Sequence, residues 1–180
     1  MTLVGDITRS YRADDLAETP EDGHRYEVIE GMLLVNAAPI PVHQLIAGHL
    51  YRVLYAAVAG TASRAFMSPV ELRISEVTAL EPDVVVLPLS SIGAARLGLP
   101  VDLVVEVLSP STARKDRLLK LAVYEEAGIP QYWIADPRAK TVDRYRLVDG
   151  RYVADTSLTA MVAGVEIPIE ILTAWETLAT

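Results

Sequence analysis

The sequence predicts an α/β domain in three layers, a mixed β-sheet flanked by helices. Three observations carry this. Val84–Leu87 and Val101–Leu108 are short, valine-rich runs with the length and composition of buried strands, and Ile129–Ala135 reads as a third buried strand. Residues 42–59 and 112–127 place apolar side chains at helical spacing between and beside those runs. Hydrophobic residues make up 51% of the 180, enough to fill one core. The chain therefore reads as one domain over residues 1–180, with 1–24 as an N-terminal extension and 138–180 giving C-terminal strands and a short helix.

Taken in order, residues 1–24 are polar and acidic, with a short helix over Ala13–Glu18 that stops at Pro20. Tyr26 to Val35 reads as two strands turning at Glu30-Gly31. Pro41 suits the first turn of a helix. In the helix that follows, Val42, Leu45, Ile46, Leu50, Val53, Leu54 and Ala57 form the apolar stripe, His43 and His49 fall on its opposite margins, and Gly60 supplies the stop. Val70–Ile74 alternates as a half-buried strand, with Glu71 directed to solvent. Pro82 opens the next run, where a missing N–H is tolerated. Ser90 to Pro100 reads as a loop or short helix. Ser109-Pro110-Ser111-Thr112 ends the Val101–Leu108 strand and offers capping oxygens to a helix that closes at Gly128. Ile129–Ala135, Thr141–Leu147 and Arg151–Ala154 are strands, the last two joined at Asp149-Gly150, and Glu166–Trp175 packs back as a terminal segment.

Composition narrows the partners. The net charge is −8, which opposes unselective binding to a polyanion. The charge is uneven: residues 1–31 hold eight acids against three bases, whereas 113–120 hold four bases against Asp116, and 138–151 hold five against two. Solvated surface charge explains each of these residues singly, and a basic lip beside an acidic site explains them together. No apolar stretch approaches the roughly eighteen residues of a membrane span, and the N-terminus lacks a basic segment followed by an apolar one. There are no cysteines, which excludes thiolate zinc and disulfides and suits a cytoplasmic protein.

Two acids interrupt the apolar runs. Asp83 precedes Val84–Leu87, and Glu106 stands where a buried strand should have another aliphatic. Ionised carboxylates are costly to bury unless they are paired or hold a cation. Alternation puts Asp83, Val85 and Leu87 on one face and Asp102, Val104, Glu106 and Leu108 on one face. If the two strands pair in register, Asp83 and Glu106 converge near strand ends, where ligands gather in α/β sheets. Oxygen donors without His or Cys favour Mg²⁺ or Mn²⁺. On the following helix Ala113, Asp116, Lys120, Tyr124 and Ala127 form a lane bordered by Leu119, Leu121 and Val123, which points it inward. Lys120 can then bring its ammonium to the carboxylates, with Tyr124 one turn on. An ordinary helix pair between Lys120 and Asp116 is the competing explanation.

These residues carry a resemblance. Asp83 in Pro-Asp, Glu106 in Val-Glu-Val-Leu-Ser-Pro-Ser-Thr, then Asp116, Lys120, Tyr124 and the run from Gly128 to Pro137 resemble the Uma2 family, within the restriction endonuclease-like, PD-(D/E)XK superfamily. Tyr26 to Gly31 and His43-Gln44 resemble its N-terminal half, so the likeness spans residues 24–137. It implies a restriction endonuclease-like three-layer core and a metal-dependent endonuclease that hydrolyses DNA phosphodiesters. Asp83, Glu106 and the Val107 backbone carbonyl would hold Mg²⁺ or Mn²⁺, and Lys120 would stabilise charge at the scissile phosphate. The superfamily's usual lysine lies two residues after the glutamate. Here that place is Leu108, and Lys120 stands in from the helix. The fold also implies a homodimer that addresses both strands.

Other residues complete the expectations. Glu27 is placed at the site edge, while Glu30 across the same turn has solvation as its simpler fate. His43 is either a satisfied helix-margin histidine or a proton shuttle, its ordinary pKa being about 6.5. Tyr132 and Trp133 read as core or dimer-face aromatics. The competing functions are a catalytically inactive nucleic-acid- or partner-binding module on the same fold, and a hydrolase of small phosphorylated substrates.

Overall fold

A computed structural model describes residues 2–3, 10–109 and 113–177, with side chains over 10–109 and 118–175. Thirteen strands are present among them: β1 (Thr2–Leu3), β2 (Arg25–Ile29), β3 (Met32–Asn36), β4 (Ser63–Met67), β5 (Leu72–Ser75), β6 (Thr78–Leu80), β7 (Val84–Pro88), β8 (Leu103–Val107), β9 (Gln131–Asp136), β10 (Thr141–Val148), β11 (Arg151–Ala154), β12 (Thr159–Val162) and β13 (Val165–Pro168). The α-helices are α1 (Pro41–Val58), α2 (Ala113–Glu126) and the short α3 (Ile169–Leu172), and Ala13–Glu18 forms a 3-10 helix.

The central sheet runs β11-β10-β9-β8-β7-β4 and is mixed. β8 and β9 are parallel, joined through α2 as a crossover, and the remaining neighbours are antiparallel. A second sheet, β1-β3-β2-β6-β5, is antiparallel throughout, and β12 and β13 form a separate hairpin.

Period-two alternation divides the core between the two faces of the central sheet. Val84, Val86, Leu103, Val105, Trp133 and Ala135 pack with Ile46, Leu50 and Leu54 of α1, and with Leu172 and Trp175 near the C-terminus. On the opposite face Val85, Leu87, Val104, Tyr132 and Ile134 meet Ile29, Leu34 and Leu80 of the second sheet and Val123 and Tyr124 of α2. The layers are therefore α1, the central sheet, and the second sheet together with α2. The β2–β3 turn places Glu30 and Gly31 at φ +49° and +79°, the pair of positive values that suits a two-residue hairpin.

Three expectations need correction. The buried face of α1 is His43, Ile46, Ala47, His49, Leu50, Leu54 and Val58, while Val42 and Leu45 are exposed. The face is turned toward the histidines because both find partners: Asp83 for His43, and the Ile171 carbonyl at 2.7 Å for His49. Glu71 is half-buried rather than solvated, since Arg73 Nε donates to it at 2.8 Å. β4 and β6 are strands in segments where none was expected; β4 sits at the sheet edge and β6 has only three residues.

Candidate active site

Val84 pairs with Val105 and Val85 with Val104, and the same register carried one residue further sets Asp83 across from Glu106. Both acids leave the strands on the face that meets the second sheet and α2, the face of Val85 and Val104. β2 of that second sheet brings Arg25 and Glu27, two residues apart and therefore on one side of the strand, with Ile29 continuing the row into the core. α2 brings Lys120 and Tyr124, one turn apart.

Glu27, Asp83, Glu106 and Lys120 are all buried, at 1%, 2%, 8% and 9% exposure. Burial of this much charge requires partners, and each has them. Lys120 Nζ donates to Glu27 Oε1 at 2.9 Å and to Glu106 Oε1 at 3.0 Å. The Tyr124 hydroxyl donates to the same Glu106 oxygen at 2.8 Å. Glu27 also accepts from the Glu81 backbone N–H at 2.9 Å and from Asn36 Nδ2 at 2.8 Å. Asp83 Oδ1 accepts both terminal nitrogens of Arg25 at 2.8 Å. Its Oδ2 accepts the Val107 N–H at 2.8 Å and lies 3.0 Å from His43 Nε2.

The two acids titrate in opposite directions. Burial pushes the Glu106 carboxyl up to about 7; the Lys120 charge opposes this, and the negative charges of Asp83 and Glu27 add to it. Burial acts on Asp83 too, but the His43 ring, the Arg25 guanidinium and the Val107 N–H outweigh it and hold that carboxyl below its usual range. Burial would discharge Lys120, yet Glu106 and Glu27 raise its pKa and keep it an ammonium. Burial, with the nearby Glu106 and Glu27 charges, raises the Tyr124 phenol well above its usual value, so it remains a donor.

Of the sequence-predicted residues, Asp83, Glu106, Lys120, Tyr124, Glu27 and His43 come together. Glu27, expected at the edge, lies at the centre of the network. Asp116 falls outside the residues whose side chains are described. The Val107 backbone is present, and the bond it makes in the site is its N–H to Asp83. Sequence reasoning missed Arg25, Asn36 and Glu81. Arg25 carried a usable signal, because an Arg-x-Glu-x-Ile row puts two charges on the strand face that ends in a core isoleucine.

A hard divalent cation fits the donor chemistry and the charge. Glu27, Glu81, Asp83 and Glu106 bring four carboxylates against the permanent cations Arg25 and Lys120, an excess of negative charge that a cation would offset. Among the described residues no three His, Asp or Glu side chains stand in a metal-holding group. Ion pairs to Arg25 and Lys120, and the 3.0 Å contact with His43 Nε2, occupy the acids instead, so a metal at Asp83 would compete with Arg25 or His43.

The family model described as "Uma2: Putative restriction endonuclease" matches residues 13–171. Among solved structures, the chain is similar to one described as a "putative nuclease belonging to DUF820 from Anabaena variabilis ATCC 29413". That likeness has a TM-score of 0.72 and 21% identity, covering 92% of this chain and 98% of the other. It shows the fold. No curated protein matches the chain. No helix among the described residues is long and apolar enough to cross a membrane.

Proposed function

The chain belongs to the Uma2 family, and from that premise we propose that it is an endonuclease that hydrolyses DNA phosphodiesters with a divalent metal, Mg²⁺ or Mn²⁺. Asp83, Glu106 and the Val107 carbonyl would hold the metal. When bound, it would polarise the phosphodiester and lower the pKa of the attacking water.

The observation that carries this reading is Lys120 Nζ at 3.0 Å from Glu106 and 2.9 Å from Glu27. Leu108 occupies the place where a strand lysine would otherwise stand, and α2 delivers an ammonium to the glutamate instead. Held charged, that ammonium stabilises negative charge developing on a phosphate oxygen. Tyr124 fixes the Glu106 carboxylate from the protein side, and Arg25 braces Asp83 from the side of β2. A homodimer that places one site on each DNA strand belongs to the same proposal.

Conversion of supercoiled plasmid to nicked and linear forms in Mg²⁺, and its loss in EDTA, tests the reading. One observation favours a second reading, the inactive binding module: both Asp83 oxygens are already engaged by Arg25, His43 and Val107. Calorimetric titration with Mn²⁺ separates the two, since an inactive site of that kind takes up no metal.

A further inference from the structure

Beyond the buried acids, Arg25 and Glu81 have a second neighbourhood. Both line a cavity of about 440 Å³ between the 3-10 helix, β2 and the segment before β5. That volume falls within the roughly 300–1,000 Å³ typical of small-molecule sites. Pro20, His24, Tyr26, Val70 and Leu80 supply rings and aliphatic surface to its wall. Asp22 fixes two of these rings: it accepts the Tyr26 hydroxyl at 2.8 Å and lies 3.0 Å from His24 Nδ1. The rings stand edge to face, 6.5 Å apart at 67°.

Glu81 is the acid on this wall. Its backbone N–H serves Glu27, and its carboxylate is ion-paired to Arg25 Nε at 4.0 Å, too long for a hydrogen bond. The side chain is nevertheless only 16% exposed. A carboxylate so placed, with two acceptor oxygens facing the cavity wall, suits a ligand that presents paired N–H groups. Arg25 sits beside it with its terminal nitrogens on Asp83, so a ligand in the cavity lies next to the proposed cleavage point.

We propose that this cavity is a base-binding subsite for the nucleotide adjoining the cut, and that Glu81 selects guanine through its neighbouring ring N–H and amino donors. The rings of Tyr26 and His24 provide the apolar and π surface on which a base rests. Thymine offers a single ring N–H between two carbonyls and pairs poorly with a carboxylate. The role in cleavage rests on the nuclease reading above; the base preference itself does not.

The test is calorimetric titration of the intact protein, without metal, with dGMP and with dTMP. Wild type binds dGMP at least tenfold more tightly. Glu81→Gln brings the two nucleotides within about twofold, and Ala17→Trp, at an exposed position on the cavity wall, weakens both at least tenfold. Circular dichroism confirms that each variant is folded, and the wild-type comparison decides the matter even if one is not. Equal affinities in wild type, binding of neither nucleotide, or an undiminished preference in Glu81→Gln overturns the proposal. Mapping plasmid cut sites in Mg²⁺ is the parallel arm. Cuts without guanine at a fixed adjoining position refute the subsite and leave the nuclease standing; a dGMP preference without any cutting does the reverse.

Discussion

Lys120 and Glu27 lie 93 residues apart in the chain and 2.9 Å apart in the fold. One belongs to the crossover helix of the central sheet and the other to a hairpin of the second sheet. Their ion pair, extended to Glu106, ties three elements together at the point where chemistry is proposed. The pair makes the lysine structural, the proposed function gives it a second role, and the two roles are separable by experiment.

Lys120→Met is expected to lose activity and stability together. Removing a charge-stabilising donor costs about 100- to 1,000-fold in turnover. Leaving Glu27 and Glu106 without their buried cation costs about 3–5 kcal/mol. Plasmid nicking under single-turnover conditions and urea unfolding measure the two losses. Unchanged turnover in a folded variant argues that the ammonium only braces the structure.

Asp83→Asn and Glu106→Gln keep the volume of each side chain and remove its charge. Both variants are expected to fold, to lose Mn²⁺ uptake in calorimetry, and to lose at least about 1,000-fold of any Mg²⁺-dependent nicking. Nicking that persists in either variant, or in EDTA, removes the assignment of these acids as metal ligands.

Arg25 and a metal compete for Asp83. Arg25→Met is therefore expected to bind Mn²⁺ about tenfold more tightly than wild type, as Oδ1 is released from both guanidinium nitrogens. Weaker or unchanged affinity would show that Arg25 and the cation do not exclude one another.

The shift of Glu106 gives stability a pH dependence of known sign. Its carboxyl is raised from 4.5 to about 7, so the native state holds the proton more tightly than the unfolded chain. The protonated form is therefore favoured by folding below about 4.5, and stability falls as pH rises from there to about 7. Asp83 acts oppositely: its carboxyl is lowered from 3.8, so its contribution is present above that value and is lost in more acid solution. A broad stability maximum near pH 4–5 is expected in metal-free buffer from melting temperatures across pH 3–8. Glu106→Gln should flatten the decline toward pH 7, and an unflattened decline would place its origin elsewhere.

The strands beside Asp83 and bearing Glu106 were legible because Val84–Leu87 and Val101–Leu108 are otherwise dense in aliphatic residues, and an acid in such a run announces itself. α2 was legible for a related reason, since Lys120 and Tyr124 share a lane bordered by aliphatics. β4 was not, because Ser63-Arg64-Ala65-Phe66-Met67 is an edge strand whose mixed composition needs no burial on both faces. The central position of Glu27 was also hidden. Its burial is sustained by Lys120, Asn36 and the Glu81 amide, and only the last two lie on or beside strands near its own. The histidines of α1 show the same limit: their inward turn depends on Asp83 and on Ile171, partners that helical periodicity cannot supply.

The distribution of the network along the chain governs when it can exist. Glu27 and Arg25 arrive early, Asp83 and Glu106 in the middle, and Lys120 and Tyr124 only after the crossover helix has emerged. No contiguous fragment contains the complete set short of about residues 25–124. A nascent or proteolysed chain that stops before α2 thus carries the acids but lacks the ammonium that neutralises them. On the proposed role of Lys120, such a chain is expected to lack hydrolytic competence.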